Sequence, residues 1–248
     1  MLRWRENLMA QKKHQKGSSV WRWFRGILFV LLVAVSLVLI FNGPITNWLV
    51  KTYRPTITRT DVKKNEKTKG NYDFRSVNSL DLKTAAQARA NHKIKAIGLV
   101  AIPSIKLNLQ IVNGVSDADL ALATGTLKPD QVMGQGNYAI AGHRMDQKDA
   151  MFSPLFWKSR VGQKIYLTDL THVYEYKTTE RKFIKATRVD VVNDVPGQKL
   201  VTLITCDATG ANRLMVRGSL VHSYDWKDAP EAALKGFSYK QKVETIAS

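Results

Sequence analysis

Side chains suited to nucleophilic catalysis adjoin β-forming runs of this sequence. Cys206, the chain's single cysteine, and His143 each end such a run. Arg213 begins another run seven residues after Cys206 and would neighbour it if the two strands pair. Arg217 shares the face of Arg213 about 13 Å further along the strand. A thiolate attacks carbonyl carbon, an imidazole transfers protons and a guanidinium stabilises an oxyanion. Nucleophilic chemistry is therefore predicted, with a buried inert thiol and a solvated histidine as the alternatives.

The cysteine count also limits the other chemistry open to the chain. One cysteine excludes an intramolecular disulfide and a structural zinc site built from several thiolates. The histidines beyond the N-terminal apolar segment, at positions 92, 143, 172 and 222, show no paired metal-ligand spacing. We therefore predict no metal site and no cofactor.

An apolar segment near the N-terminus predicts a membrane anchor. Residues 26–41 carry no charge, and tryptophans flank them where the two interfaces of a bilayer would lie. We assign residues 20–42 to a transmembrane helix and residues 1–19 to a basic cytoplasmic tail. The alternative, a cleaved signal peptide, lacks a small-x-small cleavage site after the apolar run.

The charge distribution supports this topology. The first 60 residues contain ten Lys or Arg and one acidic residue, Glu6, so their net charge is +9. This is half of the chain's net charge of +18. Seven of these basic residues precede the apolar run, so the positive-inside rule places the N-terminus in the cytoplasm and the rest outside. An outward-facing domain whose sequence shows no basic helix argues against nucleic-acid binding. We predict a single-pass protein of the cytoplasmic membrane with an extracellular domain.

The remaining sequence predicts one all-β domain between polar flanks. Residues 43–92 are predicted to form an extracellular stalk with a short helix, residues 93–228 the domain, and residues 229–248 a tail without a strand pattern. Ser153 and Pro154 are predicted to begin a short helix over 153–159, with Ser153 as its N-cap, and a second short helix is predicted over 118–122. Eight short strands without long amphipathic helices favour an antiparallel barrel or sandwich. Turn residues separate the predicted strands, which are 97–102, 107–112, 138–141, 164–167, 173–176, 183–192, 200–205 and 214–221.

Several motifs together resemble those of the sortase family. The order His, Cys, Arg and the separations of 63 and 7 residues (143 to 206 and 206 to 213) agree with that family. The resemblance covers about residues 93–225. Its motifs are TLITC at 202–206, which matches TLxTC, AGH at 141–143, NRLMV at 212–216, and the flanking segments GTLKP at 125–129 and FSPL at 152–155.

This resemblance implies both a fold and a reaction. The fold would be an eight-stranded sortase-type β-barrel with short helices, and the activity that of a Gram-positive cysteine transpeptidase. Such an enzyme cleaves an LPxTG-type sorting signal of a surface protein between Thr and Gly, and passes the protein to an amine of the cell-wall precursor lipid II. By resemblance, Cys206 forms the thioacyl intermediate and His143 protonates the departing amine. Arg213 would stabilise the oxyanion or position the substrate, with Thr205 in support.

The resemblance also bears on subclass and on calcium. The single N-terminal anchor, without an Asp-Pro-aromatic lid before the barrel, is more similar to housekeeping class A than to pilin-polymerising class C. Some class A enzymes bind calcium through carboxylates that precede the histidine. The matching positions here are Lys128, Gln131 and Gln135, and Asp130 is the only acidic residue in that stretch. Because calcium prefers several oxygen ligands, we predict activity that does not depend on calcium.

Two other functions fit the same residues. A hydrolytic cysteine peptidase on the same barrel would release the acyl group to water, and an amine acceptor would then not raise its product yield. A non-catalytic extracellular module could bind anionic wall polymers through the basic surface. That module predicts binding that weakens steeply with salt and a silent Cys206→Ala substitution.

Overall fold

The computed structural model describes residues 19–53, 55–73, 80–91, 94–207, 209–239 and 241–244. It divides the chain into two compact units, residues 1–43 and residues 44–248. The predicted basic tail, up to residue 18, and part of the segment before the predicted short helix, residues 74–79, lie outside the described residues.

One long helix, α1 (Ser19–Ile40), forms the described part of the first unit together with the few residues that follow it. Its 22 residues span about 33 Å, enough to cross a hydrocarbon core of roughly 30 Å. Ser36 donates its hydroxyl to the carbonyl of Leu32 (2.8 Å), so this polar side chain is satisfied within the helix. The prediction of one N-terminal apolar helix is confirmed.

The second unit is a closed β-barrel surrounded by short helices. Strands β2 to β9 close in the order β2-β3-β4-β5-β8-β9-β7-β6, which confirms the predicted eight-stranded barrel. The strands are β1 (Thr56–Thr58), β2 (Gly98–Ile102), β3 (Leu107–Val112), β4 (Thr124–Thr126), β5 (Asn137–Ala141), β6 (Lys164–Thr168), β7 (His172–Lys185), β8 (Leu200–Cys206), β9 (Asn212–Asp225) and β10 (Lys242–Glu244). The helices are α2 (Asn42–Lys51), α3 (Arg59–Asn65), α4 (Leu82–Asn91), α5 (Asp117–Leu120), α6 (Ser153–Lys158) and α7 (Glu231–Ser238), with 3₁₀ turns at Pro103–Ile105, Val189–Val192 and Trp226–Asp228.

Alternate residues of the strands fill the barrel. Tyr138 and Ile140 of β5, Leu203 of β8 and Leu214 of β9 point inward and are almost fully buried. Burying each such side chain contributes roughly 1.5–3 kcal/mol, and the same alternation sends their neighbours to the outer face. The outer face of β8 and β9 is therefore free to carry polar and reactive side chains.

The segments before and after the barrel cover part of its outside. Val50 of α2, Ile57 of β1 and Phe237 of α7 are buried in one apolar cluster with residues of the barrel wall. Strands β1 and β10 pair in parallel, with Ile57 opposite Val243. The described parts of the predicted stalk and tail thus contribute helices and strands to the second unit, and the tail includes a strand, β10, that its sequence did not indicate.

The structure differs from the sequence predictions at four further points. The predicted strands 173–176 and 183–192 belong to one strand, β7, which runs antiparallel to β9 and ends at Lys185. Val189–Val192 forms a 3₁₀ turn instead of a strand. The short strand β4 was not predicted. Ser153 is the first residue of α6 and makes no capping bond to the helix; Phe152 precedes it in the N-cap position.

Candidate active site

The predicted nucleophile and the predicted arginine are opposite each other on neighbouring strands. β8 and β9 are antiparallel, and Cys206 pairs directly with Arg213. Directly opposed residues share a face, with Cα atoms about 5 Å apart. Cys206 is partly exposed, so it is not the buried, inert thiol of the alternative reading. The prediction that these two residues are neighbours is confirmed.

His143 reaches the same place because β5 lies beside β8 in parallel. Ala141 is opposite Ile204, and the N–H of Gly142 donates to the Ile204 carbonyl (3.1 Å). Parallel neighbours end at the same edge of a sheet, so the residues that follow β5 lie beside the end of β8. The structure therefore places the strand ends that carry His143 and Cys206 side by side.

Thr205 fastens these two strand ends together. Its side chain is buried, and its hydroxyl donates to the carbonyl of Gly142 at 2.7 Å. Gly142 cannot carry a side chain here, because an added Cβ would lie 2.9 Å from the Phe152 ring. Thr205 thus acts on the residue immediately before His143, and its hydroxyl proton is engaged there.

The loop that follows His143 is closed by its own hydrogen bonds. The N–H of Phe152 donates to the His143 carbonyl (3.0 Å). The Ser153 hydroxyl bridges the loop, accepting from the N–H of Met145 (2.8 Å) and donating to its carbonyl (2.9 Å). Ser153 therefore stabilises the histidine loop instead of capping α6.

Burial sets the acid–base character of His143. Desolvation lowers its pKa below the ordinary value of 6.5, and the Asp117 carboxylate acts in the opposite direction. A lowered pKa makes the imidazolium a stronger acid, since burial disfavours the charged form. The residue is thus suited to give up a proton to a departing amine.

Arg144 is a residue of the site that the sequence did not reveal. Its guanidinium Nε donates to the carbonyl of Asp207 (3.0 Å), which directly follows Cys206. It therefore joins the loop after His143 to the loop after Cys206. Its position immediately after His143 was the signal in the sequence, but an arginine at a strand end is usually only solvated.

An apolar strip extends from Cys206 along the outer face of the barrel. It consists of Ile184, Val191, Ile204 and Met215, which cluster together. Ile204 lies two residues before Cys206 on the same face of β8, about 7 Å away. Ile184, Val191 and Met215 are buried, so Ile204 is the member of the strip that a peptide bound at the thiol would contact.

The two candidate arginines have different surroundings. Arg213 donates through Nη1 to the carbonyls of Gly210 (2.8 Å) and Asn212 (3.1 Å), in the loop beside Cys206. Arg217 donates through Nη2 to the Val191 carbonyl (2.6 Å) and so connects β9 to the 3₁₀ turn beside the strip. Arg213 thus lies opposite Cys206 at the strand end, whereas Arg217 contacts the turn that borders the strip.

Comparison with known proteins identifies the family. A family model described as the Sortase domain matches residues 100–221, a range that contains His143, Cys206 and Arg213. The chain is 36% identical over 244 residues to Sortase A of Streptococcus agalactiae serotype III (strain NEM316), covering 94% of this chain and 98% of that relative. The chain belongs to the sortase family. It is a cysteine transpeptidase and most similar to class A, as the resemblance of its motifs predicted.

Two further matches agree with this sortase assignment. Sortase A of Listeria monocytogenes serovar 1/2a (strain EGD-e) is 38% identical over 184 residues, which cover 72% of this chain and 82% of that protein. The solved structure of Listeria monocytogenes sortase A superposes with a TM-score of 0.53 at 38% identity, covering 57% of this chain and 97% of that one. The structural match thus extends over nearly all of that solved sortase.

The loop before His143 contains a lysine side chain at one of the positions that correspond to calcium ligands in some class A enzymes. Lys128 forms an ion pair with Asp194, and Gln131 bonds to both backbone groups of Ala139, donating to its carbonyl (2.8 Å) and accepting from its N–H (3.1 Å). The described residues contain no group of three or more His, Cys, Asp or Glu side chains placed to hold a metal ion.

Proposed function

We propose that this sortase cleaves LPxTG-type sorting signals between Thr and Gly through a thioacyl intermediate on Cys206. One observation carries the proposal: Cys206 lies opposite Arg213 and beside the strand end that leads into His143. A nucleophile, a cation and a proton carrier are the parts that acyl transfer requires.

In the first half-reaction the Cys206 thiolate attacks the Thr carbonyl carbon of the sorting signal. The oxygen takes the negative charge, and the Arg213 guanidinium stabilises it by charge and hydrogen bonding. The C–N bond to Gly then breaks, and the His143 imidazolium donates a proton to the leaving amine. The products are a thioester on Cys206, a free Gly amine and a neutral imidazole.

In the second half-reaction the amine of the acceptor attacks the thioester. His143 takes the proton of the incoming amine, the C–S bond breaks and the thiolate returns. The acceptor is the amine of a lipid-linked cell-wall precursor of the lipid II type. The same groups therefore serve both halves with the proton moving in opposite directions.

The apolar strip is suited to recognise the start of the signal. Residues N-terminal to the scissile bond must lie on the acyl side of Cys206, and Ile204 and Met215 lie on that side. Met215 is fully buried, so an apolar side chain of LPxTG would pack against the partly exposed Ile204, at roughly 25 cal/mol per Å² of apolar surface removed from water. Arg217 fixes the 3₁₀ turn that borders the strip.

Thr205 supports this reaction by positioning. The sequence suggested direct help to the oxyanion or substrate, but the hydroxyl donates to the Gly142 carbonyl. We propose that it holds the His143 loop at the correct distance from β8.

The proposal also covers the membrane topology of the chain and the independence of its activity from calcium. The excess of basic residues before α1 favours a cytoplasmic N-terminus and an extracellular barrel. Lys128 already supplies a positive charge beside Asp194, so we propose activity without calcium. EDTA that abolished activity, with recovery on adding calcium, would overturn this point.

Intact-mass spectrometry of the full chain in detergent tests the reaction. Incubation with an LPxTG peptide should add the mass of the acylated LPxT fragment, and Cys206→Ala should show no adduct. Arg213→Lys should form the adduct more slowly, whereas Arg188→Lys, an exposed arginine paired with Asp190, is the matched control. A chain that is folded by circular dichroism and forms no adduct would contradict the proposal.

An amine acceptor separates transfer from hydrolysis. Triglycine added to the thioacyl enzyme should raise the yield of released product and appear attached to the Thr carbonyl. Product yield that triglycine does not change would favour the hydrolytic peptidase.

A further inference from the structure

An exposed group of aromatic rings adjoins the catalytic end of the barrel. Phe156 and Trp157 belong to α6 and Phe183 to β7. The Phe156 ring lies 5.0 Å from that of Trp157 and 5.9 Å from that of Phe183, both in edge-on contact. Trp157 is 42% exposed and Phe183 51% exposed. Contiguous apolar surface that is exposed to water and edged by polar groups is a feature of binding sites.

Each of these rings also carries a cation. The Arg144 guanidinium lies 5.5 Å from the centre of the Phe156 ring, and the Lys148 ammonium lies 4.6 Å from that of Trp157. The Arg181 guanidinium lies 5.8 Å from the Phe183 ring. We call this surface the aromatic–cation patch; it consists of Arg144, Lys148, Phe156, Trp157, Arg181 and Phe183.

Hydrogen bonds hold the patch in place. Arg181 donates through Nε to the Ser159 hydroxyl (2.9 Å) and through Nη2 to the Phe156 carbonyl (2.9 Å). These bonds join α6 to β7, so the two exposed rings rest on a fixed base. A surface that is already ordered loses little conformational entropy on binding a ligand.

One member of the patch, Arg144, contacts the loop that directly follows Cys206. Arg144 directly follows His143 and donates to the carbonyl of Asp207, just beyond Cys206. Ile204 of the strip lies two residues before Cys206, whereas Asp207 directly follows it. An acyl chain that extends from Cys206 towards Ile204 leaves the Asp207 side, where Arg144 makes its contact, for the departing and incoming amines.

We infer that the aromatic–cation patch binds the sugar and diphosphate headgroup of the lipid-linked acceptor. This inference rests on the proposed function, in which that acceptor delivers the amine. Sugar rings present C–H faces that pack against aromatic rings, and diphosphate oxygens pair with Arg and Lys. The patch offers both kinds of contact within reach of the thioester, whereas an amine on a bare peptide would use neither.

Acceptor kinetics with two matched amines test this inference. One acceptor is a short-chain lipid II analogue that retains the disaccharide and the diphosphate; the other is the same stem peptide without them. In the full chain in detergent, Trp157→Ala should raise KM for the analogue about tenfold and leave KM for the bare peptide unchanged. Lys148→Gln should raise KM for the analogue severalfold and reduce its dependence on salt.

The controls separate this inference from the proposed function. Tyr239→Ala removes an equally exposed ring from the end of α7 and should change neither KM. Thioacyl formation with an LPxTG peptide is measured in every variant, and its absence in the wild type would refute the proposed function itself. Unchanged KM for the analogue in Trp157→Ala, or equal losses with both acceptors, would overturn the assignment of the patch. The assignment would also be overturned if Trp157→Ala weakened only the binding to phosphatidylglycerol vesicles. The patch would then be a membrane contact.

Discussion

Replacing Thr205 with valine should detach the histidine loop from strand β8. Valine keeps the branched shape of threonine but has no hydroxyl to donate to the Gly142 carbonyl. Thr205 is 2% exposed, so water cannot easily replace the lost donor. The carbonyl next to His143 would then be buried without this partner.

The expected loss follows from that unpaired carbonyl. A buried acceptor left without its donor costs about 1–3 kcal/mol. For a unit of this size each kcal/mol lowers the melting temperature by roughly 2–4 °C. We therefore expect a drop of roughly 2–12 °C. The rate should fall more steeply, by about 10- to 100-fold, because a catalytic group displaced by about 1 Å can lose that much.

Two measurements on the same preparations check these values. Scanning calorimetry of the full chain in detergent gives the melting temperature, and cleavage of a fluorogenic LPxTG peptide with hydroxylamine as acceptor gives kcat. Thr205→Ser, which keeps the hydroxyl, should recover most of both. Thr168→Val is the matched control, since this buried hydroxyl donates to the His172 carbonyl (2.6 Å) at the opposite end of β7.

The Thr168→Val control should have a lower melting temperature and an unchanged kcat. Two other outcomes would refute the proposed positioning role of Thr205. A Thr205→Val variant with an unchanged melting temperature and a reduced rate would mean that the hydroxyl acts directly on the oxyanion. An equal fall in rate in Thr168→Val would mean that stability alone explains the effect.

Four more results are expected. An NMR titration of labelled histidine, with the His143 signal assigned from His143→Gln, should give His143 a pKa below 6.5. This pKa should fall further in Asp117→Asn, because the Asp117 carboxylate raises it. A higher pKa in Asp117→Asn would refute the assigned causes. Since the unfolded imidazole then binds protons more tightly than the folded one, stability should decrease as the pH falls below about 6.5, and His143→Gln should remove this part of the dependence. Lys128→Gln should destabilise the chain by at most about 1 kcal/mol at pH 7, because the ion pair with Lys128 lowers the pKa of Asp194. The difference in unfolding free energy between wild type and variant should shrink below pH 3.8, where Asp194 becomes protonated. A difference that persists in acid would contradict the ion pair. Phe237→Ala should cost roughly 3–5 kcal/mol by calorimetry, because Phe237 of α7 is fully buried against the barrel wall, and an unchanged melting temperature would contradict this packing.

Local sequence was sufficient for most of the barrel. Strands β2, β3, β5, β6, β8 and β9 begin or end within a few residues of the predicted positions, because each is a short β-forming run bounded by turn residues. The active-site neighbours Cys206 and Arg213 were also predictable, since a short loop between two strands nearly always makes an antiparallel pair.

What the sequence did not reveal depends on partners distant in the chain. β4 is a three-residue strand, Thr-Gly-Thr, that exists because β3 and β5 flank it. The polar middle of β7 looked like a break, yet β9 pairs with it along its whole length. Such segments become strands only because of their tertiary contacts, so local β-propensity could not predict them.

The same limit explains what was missed around the site. Arg144 and Asp207 are 63 residues apart and meet only once β5 and β8 are neighbours. In the C-terminal tail, the spacing of Ala233 and Phe237 fits one face of a helix, and that signal was present but short. A four-residue apolar repeat alone does not distinguish a docked helix from a solvated one.

The parallel pairing of β5 with β8 has a consequence for the order of folding. Parallel strands need a crossover, and here the connection includes α6, β6 and β7, so the ladder joins residues 63 positions apart, such as Ala141 and Ile204. Closing so long a loop is entropically costly and slow, whereas the hairpins of β6 with β7 and β8 with β9 can form within microseconds. A chain with its hairpins formed would still hold Cys206 without His143 beside it. In refolding experiments, catalytic competence should therefore emerge after most of the secondary structure, and partly folded chains should leave their substrates uncleaved.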